Sequence, residues 1–350
     1  MKNVKFAKVF LILILLFVCI ASFTACSATK QSIVFGTFLT VDVVSSPTPS
    51  KDANNVKAYM DVLERVLSPT IEGSDVERIN SAAVGVPVEC HAETMEILSV
   101  AEYVFNMSGG AYDPSVYPLV RLWKFSGDTF GELNPLIVPT DVEILANMAV
   151  VGLDKAFSIN YQNRTVTKLL AGAMLDFGGI AKGYASDYAR DIVSAKKMLI
   201  NLGGNISAKG KTFSIGIANP TREDRQFSSA YFGIVKLAGG ECISTSGDYE
   251  RYYKIQVGDV TRFYHHIIDT RTGRPADTSG ENGIISATVI STNGAFADAV
   301  ATAIVVLGKE KGLELLNALQ ADGRYPLTAI LIDGEMQSFT FGGIEFSLAN

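Results

Sequence analysis

Along residues 32–44, "SIVFGTFLTVDVV", apolar and polar positions alternate and many residues are β-branched, so the period of two predicts a strand. The period then changes. In "DANNVKAYMDVLERVL", residues 52–67, Val56, Tyr59, Met60, Leu63, Val66 and Leu67 recur at helical spacing behind Asp52 as N-cap. Two further helices follow from "HAETMEILSVAEYVFNMSGG", with its glycine stop, and "VPTDVEILANMA". "AFSINYQNRTVTKL" reads as strand, polar turn and strand. A helix is expected from Ala181 to about Lys196, then the short strand "MLINL". More strands are expected near 213–218, 231–237, 252–257, 262–268 and 284–291. The helices "NGAFADAVATAIVVLG" and "KEKGLELLNALQ" and two short strands close the chain. Helices and antiparallel-looking hairpins are mixed without βαβ alternation, so the expected class is α+β, a single domain of mostly antiparallel strands with packed helices.

The first residues stand apart. Lys2, Lys5 and Lys8 precede an apolar run from Val9 to Ile20, and small residues lead to Cys26. This is the layout of a secretion signal, and the run is shorter than the ~20 apolar residues of a comfortable membrane span. The ending "FTAC" resembles a bacterial lipobox, which makes Cys26 the lipidation site. The expected division is a signal peptide over 1–25, a lipid-anchored tether over 26–31 and the domain over 32–350. An ordinary cleaved signal or an uncleaved anchor are the alternatives, and each still exports the domain.

Removing residues 1–25 takes away three lysines and no acid, moving the formal charge from −6 to −9. An acidic chain is a poor nucleic-acid binder, since that binding rests on Lys and Arg neutralising phosphates. Cys90 and Cys242 match no zinc spacing and are either a disulfide pair or two buried thiols.

Four stretches carry candidate chemistry. In "LDFGGIAKGYASD" a glycine turn feeds a helix N-terminus, a place where anions bind favourably, and Lys182 lies in its first turn. No dinucleotide or Walker pattern is present. "NLGGNISAKG" runs from a strand into Gly203 and Gly204, either a bulge or a close approach of ligand or backbone. In "GAFADAVATAIVVLG", Asp298 and Thr302 share one face of an otherwise apolar helix, and a carboxylate there is costly unless paired or bound to a cation. Oxygen ligands of this kind suit Mg²⁺. In "YHHIIDTRTGRP" strand alternation sends His265 and His266 to opposite faces, so one of them can face a site beside the turn.

Eight segments taken in order resemble the FAD:protein FMN transferase (ApbE-like) family. They are "FGT" at 35–37, "SDVERIN" at 74–80, "GGAYDPSVYPLVRLWKF" at 109–125, "DFGGIAKGYASD" at 176–187, "INLGGNI" at 200–206, "STSGDYERYY" at 244–253, "HIIDTRTGRP" at 266–275 and "AFADAVATAIVVLG" at 295–308. The resemblance implies an exported, Mg²⁺-dependent enzyme that splits FAD, moves FMN onto a threonine or serine hydroxyl of a partner flavoprotein and releases AMP. The family's usual acceptors are flavoprotein subunits of exported or membrane redox complexes. The resemblance also implies FAD contacts at Phe35, Ala111, Tyr112, Asp113, Asp176, Lys182 and Ile268. It implies a metal held by Asp298 and Thr302 with main-chain oxygens of Gly179 and Ala301, and a proton-accepting role for His266. Thr270 and Thr70 stand where the family often has Pro and Tyr. An FAD diphosphatase and an FAD-binding lipoprotein are the competing readings.

Overall fold

The structure is a computed structural model and describes residues 27–126, 138–226, 229–257 and 259–349. The signal peptide and Cys26 lie outside the described residues. Among the described residues no helix is long and apolar enough to cross a membrane.

The centre is an eight-stranded sheet. Its strands along the chain are β1 (Ala28–Val34), β2 (Thr37–Ser45), β3 (Lys197–Leu202), β4 (Asn205–Lys209), β5 (Cys242–Gly247), β6 (Ile284–Ser291), β7 (Leu327–Asp333) and β8 (Ser338–Phe341). They lie side by side in that order, each antiparallel to the next. The α+β class with antiparallel strands is therefore what the molecule adopts. Four long helices cover one face: α1 (Pro49–Leu67), α2 (Ala92–Met107), α3 (Ala181–Asp191) and α4 (Gly294–Asp322). A three-stranded sheet of Phe213–Ala218, Tyr231–Leu237 and Phe346–Leu348 covers part of the other, against Ile206, Ile243, Ile290 and Ile330.

The helical spacing of α1 is borne out, because Val56, Met60, Leu63, Val66 and Leu67 are all buried. Each such aliphatic side chain contributes roughly 1.5–3 kcal/mol of burial. Asp52 is not the cap. The helix begins at Pro49, whose fixed φ suits the first turn, and Thr48 takes the cap position. Asp52 is instead buried and accepts hydrogen bonds from Ser46 Oγ and from Ser194 N and Oγ, the last at 3.1 Å.

Other boundaries differ for identifiable reasons. The stretch 32–44 is a hairpin, not one strand, turning at Phe35–Gly36 with φ of 52° and 63°. Two residues with positive φ make the turn whose twist matches the flanking strands. Gly203–Gly204 make the same kind of turn between β3 and β4, with φ of 56° and 85°, so the pair is a hairpin tip. α3 stops at Asp191, before Ser194 is held by Asp52. The strand expected over 262–268 breaks into Val260–His265 and Ile268–Asp269. α4 is two helices joined at Gly308, where φ is 76°, and Asn282 O accepts the hydrogen bond of Lys309 N. Three strands follow it, not two. β1 begins at Ala28, inside the stretch assigned to a tether. Cys90 and Cys242 are both free and buried thiols.

Candidate active site

The hairpin tips Phe35–Gly36 and Gly203–Gly204, the start of α3, the N-terminal part of α4 and the segment after Val260–His265 enclose one cleft of about 430 Å³. Phe35, Ala111, Tyr112, Asp113, Asp176, Gly179, Lys182, His266, Ile268, Asp298 and Thr302 all line it. Ala301 is fully buried in α4 and does not line the cleft.

The approach of α3 and α4 builds the acidic end. A Cβ on Gly183 would lie 2.1 Å from Gly294 O, so glycine alone permits this crossing. At the crossing Gly183 N donates to Asp298 Oδ2 at 3.0 Å. Asp298 is 3% exposed and, among the described residues, forms no ion pair. Burial pushes its carboxyl up, and the Lys182 charge and the Gly183 N–H oppose this. One helical turn on, Thr302 Oγ1 donates to Asp298 O at 3.2 Å and lies 3.2 Å from Ser246 Oγ. A Cβ on Gly179 would come within 3.1 Å of Thr302 Oγ1, which brings that main chain against the same spot.

This donor set fits a divalent cation. The Tyr112 hydroxyl is buried in the same cleft without a hydrogen-bond partner, and its charge neighbours are Asp298, Asp176 and Asp113. Among the described residues no three His, Cys, Asp or Glu side chains cluster for a metal. One carboxylate with neutral oxygens is the pattern expected of Mg²⁺, which leaves positions for water and substrate phosphate.

Lys182 is the common positive charge. Its Nζ donates to Gly178 O at 2.7 Å, and its charge opposes the rise of the Asp176 and Asp298 carboxyls. Asp176 is raised chiefly by burial and accepts from Gly178 N at 2.9 Å. Asp113 is raised to about 6, again by burial first. Its Oδ1 takes hydrogen bonds from Ser115 N and Oγ, the latter at 2.7 Å, so it also orders its own loop.

The two histidines have different jobs. A carbonyl oxygen only accepts, so each ring nitrogen facing one must carry the hydrogen. His265 is 3% exposed and donates from Nε2 to Ala276 O at 2.8 Å, while its Nδ1 accepts from Ile267 N. Both its nitrogens are used. His266 donates from Nδ1 to Arg251 O at 3.2 Å, which leaves Nε2 as a lone-pair nitrogen. Burial, His265 and Arg251 hold His266 down to about 3, so the ring is neutral.

Several contributors went unread in the sequence. Glu64 Oε1 accepts from Phe35 N at 2.7 Å and fixes a phenylalanine in the left-handed region, a strained position for a bulky residue. Arg251 O orients His266. Asn205 and Ser246 also line the cleft. Their segments carried motifs, but nothing local marks an oxygen that acts across 15 residues of chain. Thr70 lines the cleft with its hydroxyl near Ser68, and the aromatic side chains lining the cleft are Phe35, Tyr112, Tyr117, Phe125 and Phe177.

A family model described as the ApbE family matches residues 35–324. An FAD:protein FMN transferase from Vibrio cholerae serotype O1 is 29% identical over 297 residues, covering 81% of this chain and 83% of the relative. One from Klebsiella pneumoniae strain 342 is 33% identical over 268 residues, covering 75% and 76%. Among solved structures, the ApbE protein of Thermotoga maritima has a TM-score of 0.75 at 28% identity, covering 89% of this chain and 96% of that one. The flavin transferase ApbE of Vibrio cholerae has a TM-score of 0.74 at 26% identity, covering 90% and 97%. With the matched residues running from the Phe35 hairpin tip through α4, this chain belongs to the ApbE family.

Proposed function

We propose that this protein is a Mg²⁺-dependent FAD:protein FMN transferase that attaches FMN through a phosphoester to a Thr or Ser hydroxyl of an acceptor flavoprotein and releases AMP. The observation that carries this reading is the convergence of Asp298, Thr302, Lys182 and a neutral His266 on one cleft. The names of the relatives point the same way.

Displacement at phosphorus asks the protein for positioning and charge neutralisation more than for covalent help. Asp298, Thr302 and the main chain at Gly179 would hold the cation, and Mg²⁺ would supply charge neutralisation on the diphosphate. Lys182 adds positive charge at the same end. The acceptor hydroxyl oxygen forms a bond to the FMN phosphorus, the anhydride P–O bond breaks, AMP leaves with the electron pair, and His266 Nε2 receives the proton. The fixed Nδ1–H tautomer keeps that nitrogen available. The negative diphosphate raises His266 from its depressed range by stabilising the imidazolium. Phe35, Ala111, Tyr112, Asp113, Asp176 and Ile268 shape the flavin nucleotide's bed.

We further propose that the domain acts on the extracytoplasmic face of a membrane, anchored through Cys26, on subunits of exported or membrane redox complexes. The lysine-flanked apolar run ending in "FTAC" supports this. Radiolabelled palmitate incorporation into wild type and absence from Cys26→Ser tests the anchor.

The test of the activity is incubation with FAD, Mg²⁺ and an acceptor carrying a flavinylation-type Ser/Thr segment. Flavin fluorescence that survives a denaturing gel, together with AMP, is expected. AMP and free FMN without it would make the protein a diphosphatase. Tight FAD binding with no product would make it a carrier.

A further inference from the structure

Among the described residues, two buried side-chain polar atoms in this cleft have no hydrogen-bond partner, Tyr112 Oη and Asn205 Oδ1. Tyr112 belongs to the flavin bed already described. Asn205 does not. It opens β4 directly after the Gly203–Gly204 turn, and its residue is 1% exposed. It pairs with Leu202 across the hairpin, so the two side chains share the face that α3 and α4 cover.

Strand register fixes its position relative to the acidic end. β4 pairs with β5 through Cys242↔Ser207 and Ile243↔Ile206. Continuing by one residue brings Ser244 alongside Asn205. Ser246 is two residues further on the same face, and its Oγ lies 3.2 Å from Thr302 Oγ1. Asn205 therefore stands diagonally across from Ser246, about 7–8 Å away on the same face, beside the place assigned to the diphosphate.

A buried carboxamide with an unused end is destabilising, and native proteins keep such a group where something else completes it. The ligand groups flanking the diphosphate of FAD are hydroxyls, on the adenosine ribose at one side and the ribityl chain at the other. A hydroxyl both donates and accepts, which matches the two ends of a carboxamide. We infer that Asn205 is a substrate-positioning residue whose side chain hydrogen-bonds a sugar hydroxyl of FAD beside the diphosphate. The inference rests on the flavin-transfer reading above.

The test uses the exported domain of wild type, Asn205→Leu and Asn205→Ala, without Mg²⁺ so that nothing turns over. Thermal melting of the free protein and dissociation constants for FAD, ADP and FMN are measured. Free Asn205→Leu or Asn205→Ala is expected to melt no lower than wild type, while the FAD constant rises about tenfold, the size of one lost hydrogen bond at an unpaired group. A matching rise for ADP alone assigns the ribose, and a matching rise for FMN alone assigns the ribityl chain. Unchanged constants for all three ligands would overturn the inference, as would a lowered free melting temperature in both variants with FAD binding intact, which marks a purely structural residue. Failure of wild type itself to bind FAD would instead bring down the flavin-transfer reading, and this inference with it.

Discussion

Asp248 and Asp298 are both carboxylates taken almost wholly out of water, at 0% and 3% exposure, and their surroundings are opposite. Asp248 is bonded by Arg222 Nη1 at 2.9 Å, by Arg225 Nη2 and by Thr278 Oγ1 at 2.8 Å. Two guanidiniums neutralise it from within the chain. Asp298 has one backbone N–H and the field of Lys182, whose Nζ donates to Gly178 O. A buried charge is expensive unless paired. The first carboxylate is complete as folded and serves the fold. The second faces the cleft with no ion pair among the described residues, and it is there that the proposed cation would bind.

Replacing each carboxylate separates these roles. Asp298→Asn removes the cation's anchor, and turnover with FAD and Mg²⁺ should fall by roughly 10³-fold, the scale of several kcal/mol of charge stabilisation. Its melting temperature without ligand should stay level or rise, because an unpaired buried charge is gone. Asp248→Ala should do the reverse, costing about 3–5 kcal/mol of stability by stranding the buried Arg225 guanidinium, while Arg222 keeps its bidentate pair with Asp224. Denaturant unfolding measures that loss, and folded enzyme should retain the same metal dependence as wild type.

The histidine pair extends the contrast to proton chemistry. His266→Gln should slow transfer by about 10²-fold, within the range of a lost general base. Its folded value is about 3 against 6.5 for a free imidazole, so the unfolded chain binds the proton first on acidification. Stability tied to His266 is therefore present above about 6.5 and lost as pH falls toward 3, and the variant should melt with a shallower acid dependence over that window. The smallest effect is expected from Lys182→Met, about a tenfold rise in KM for FAD, since one half-buried charge is removed while the proposed cation would remain.

The contrast was half legible in the sequence. Asp298 and Thr302 stood out because an acid on an apolar helix face violates its surroundings, and period alone reveals that. Asp248 did not stand out, because Arg222, Arg225 and Thr278 reach it from segments 23 to 30 residues away. The long helices were readable from spacing, whereas the Phe35–Gly36 turn was hidden inside unbroken alternation. Glu64, which holds that turn from α1, could not be foreseen from the hairpin itself. Asn205 lay within a quoted motif, yet its missing partner is a property of the packed sheet. Local pattern gives elements and anomalies, and the pairings that explain them come only with the tertiary structure.

The central claim is that Asp298 carries a divalent cation against a diphosphate. Crystals grown with ADP and Mn²⁺, examined by anomalous scattering, test it most directly. The account predicts a peak at ligand distance, about 2.1 Å, from Asp298 and Thr302 oxygens. A bound diphosphate with no peak there, and Asp298 paired to a basic side chain in its place, would contradict it.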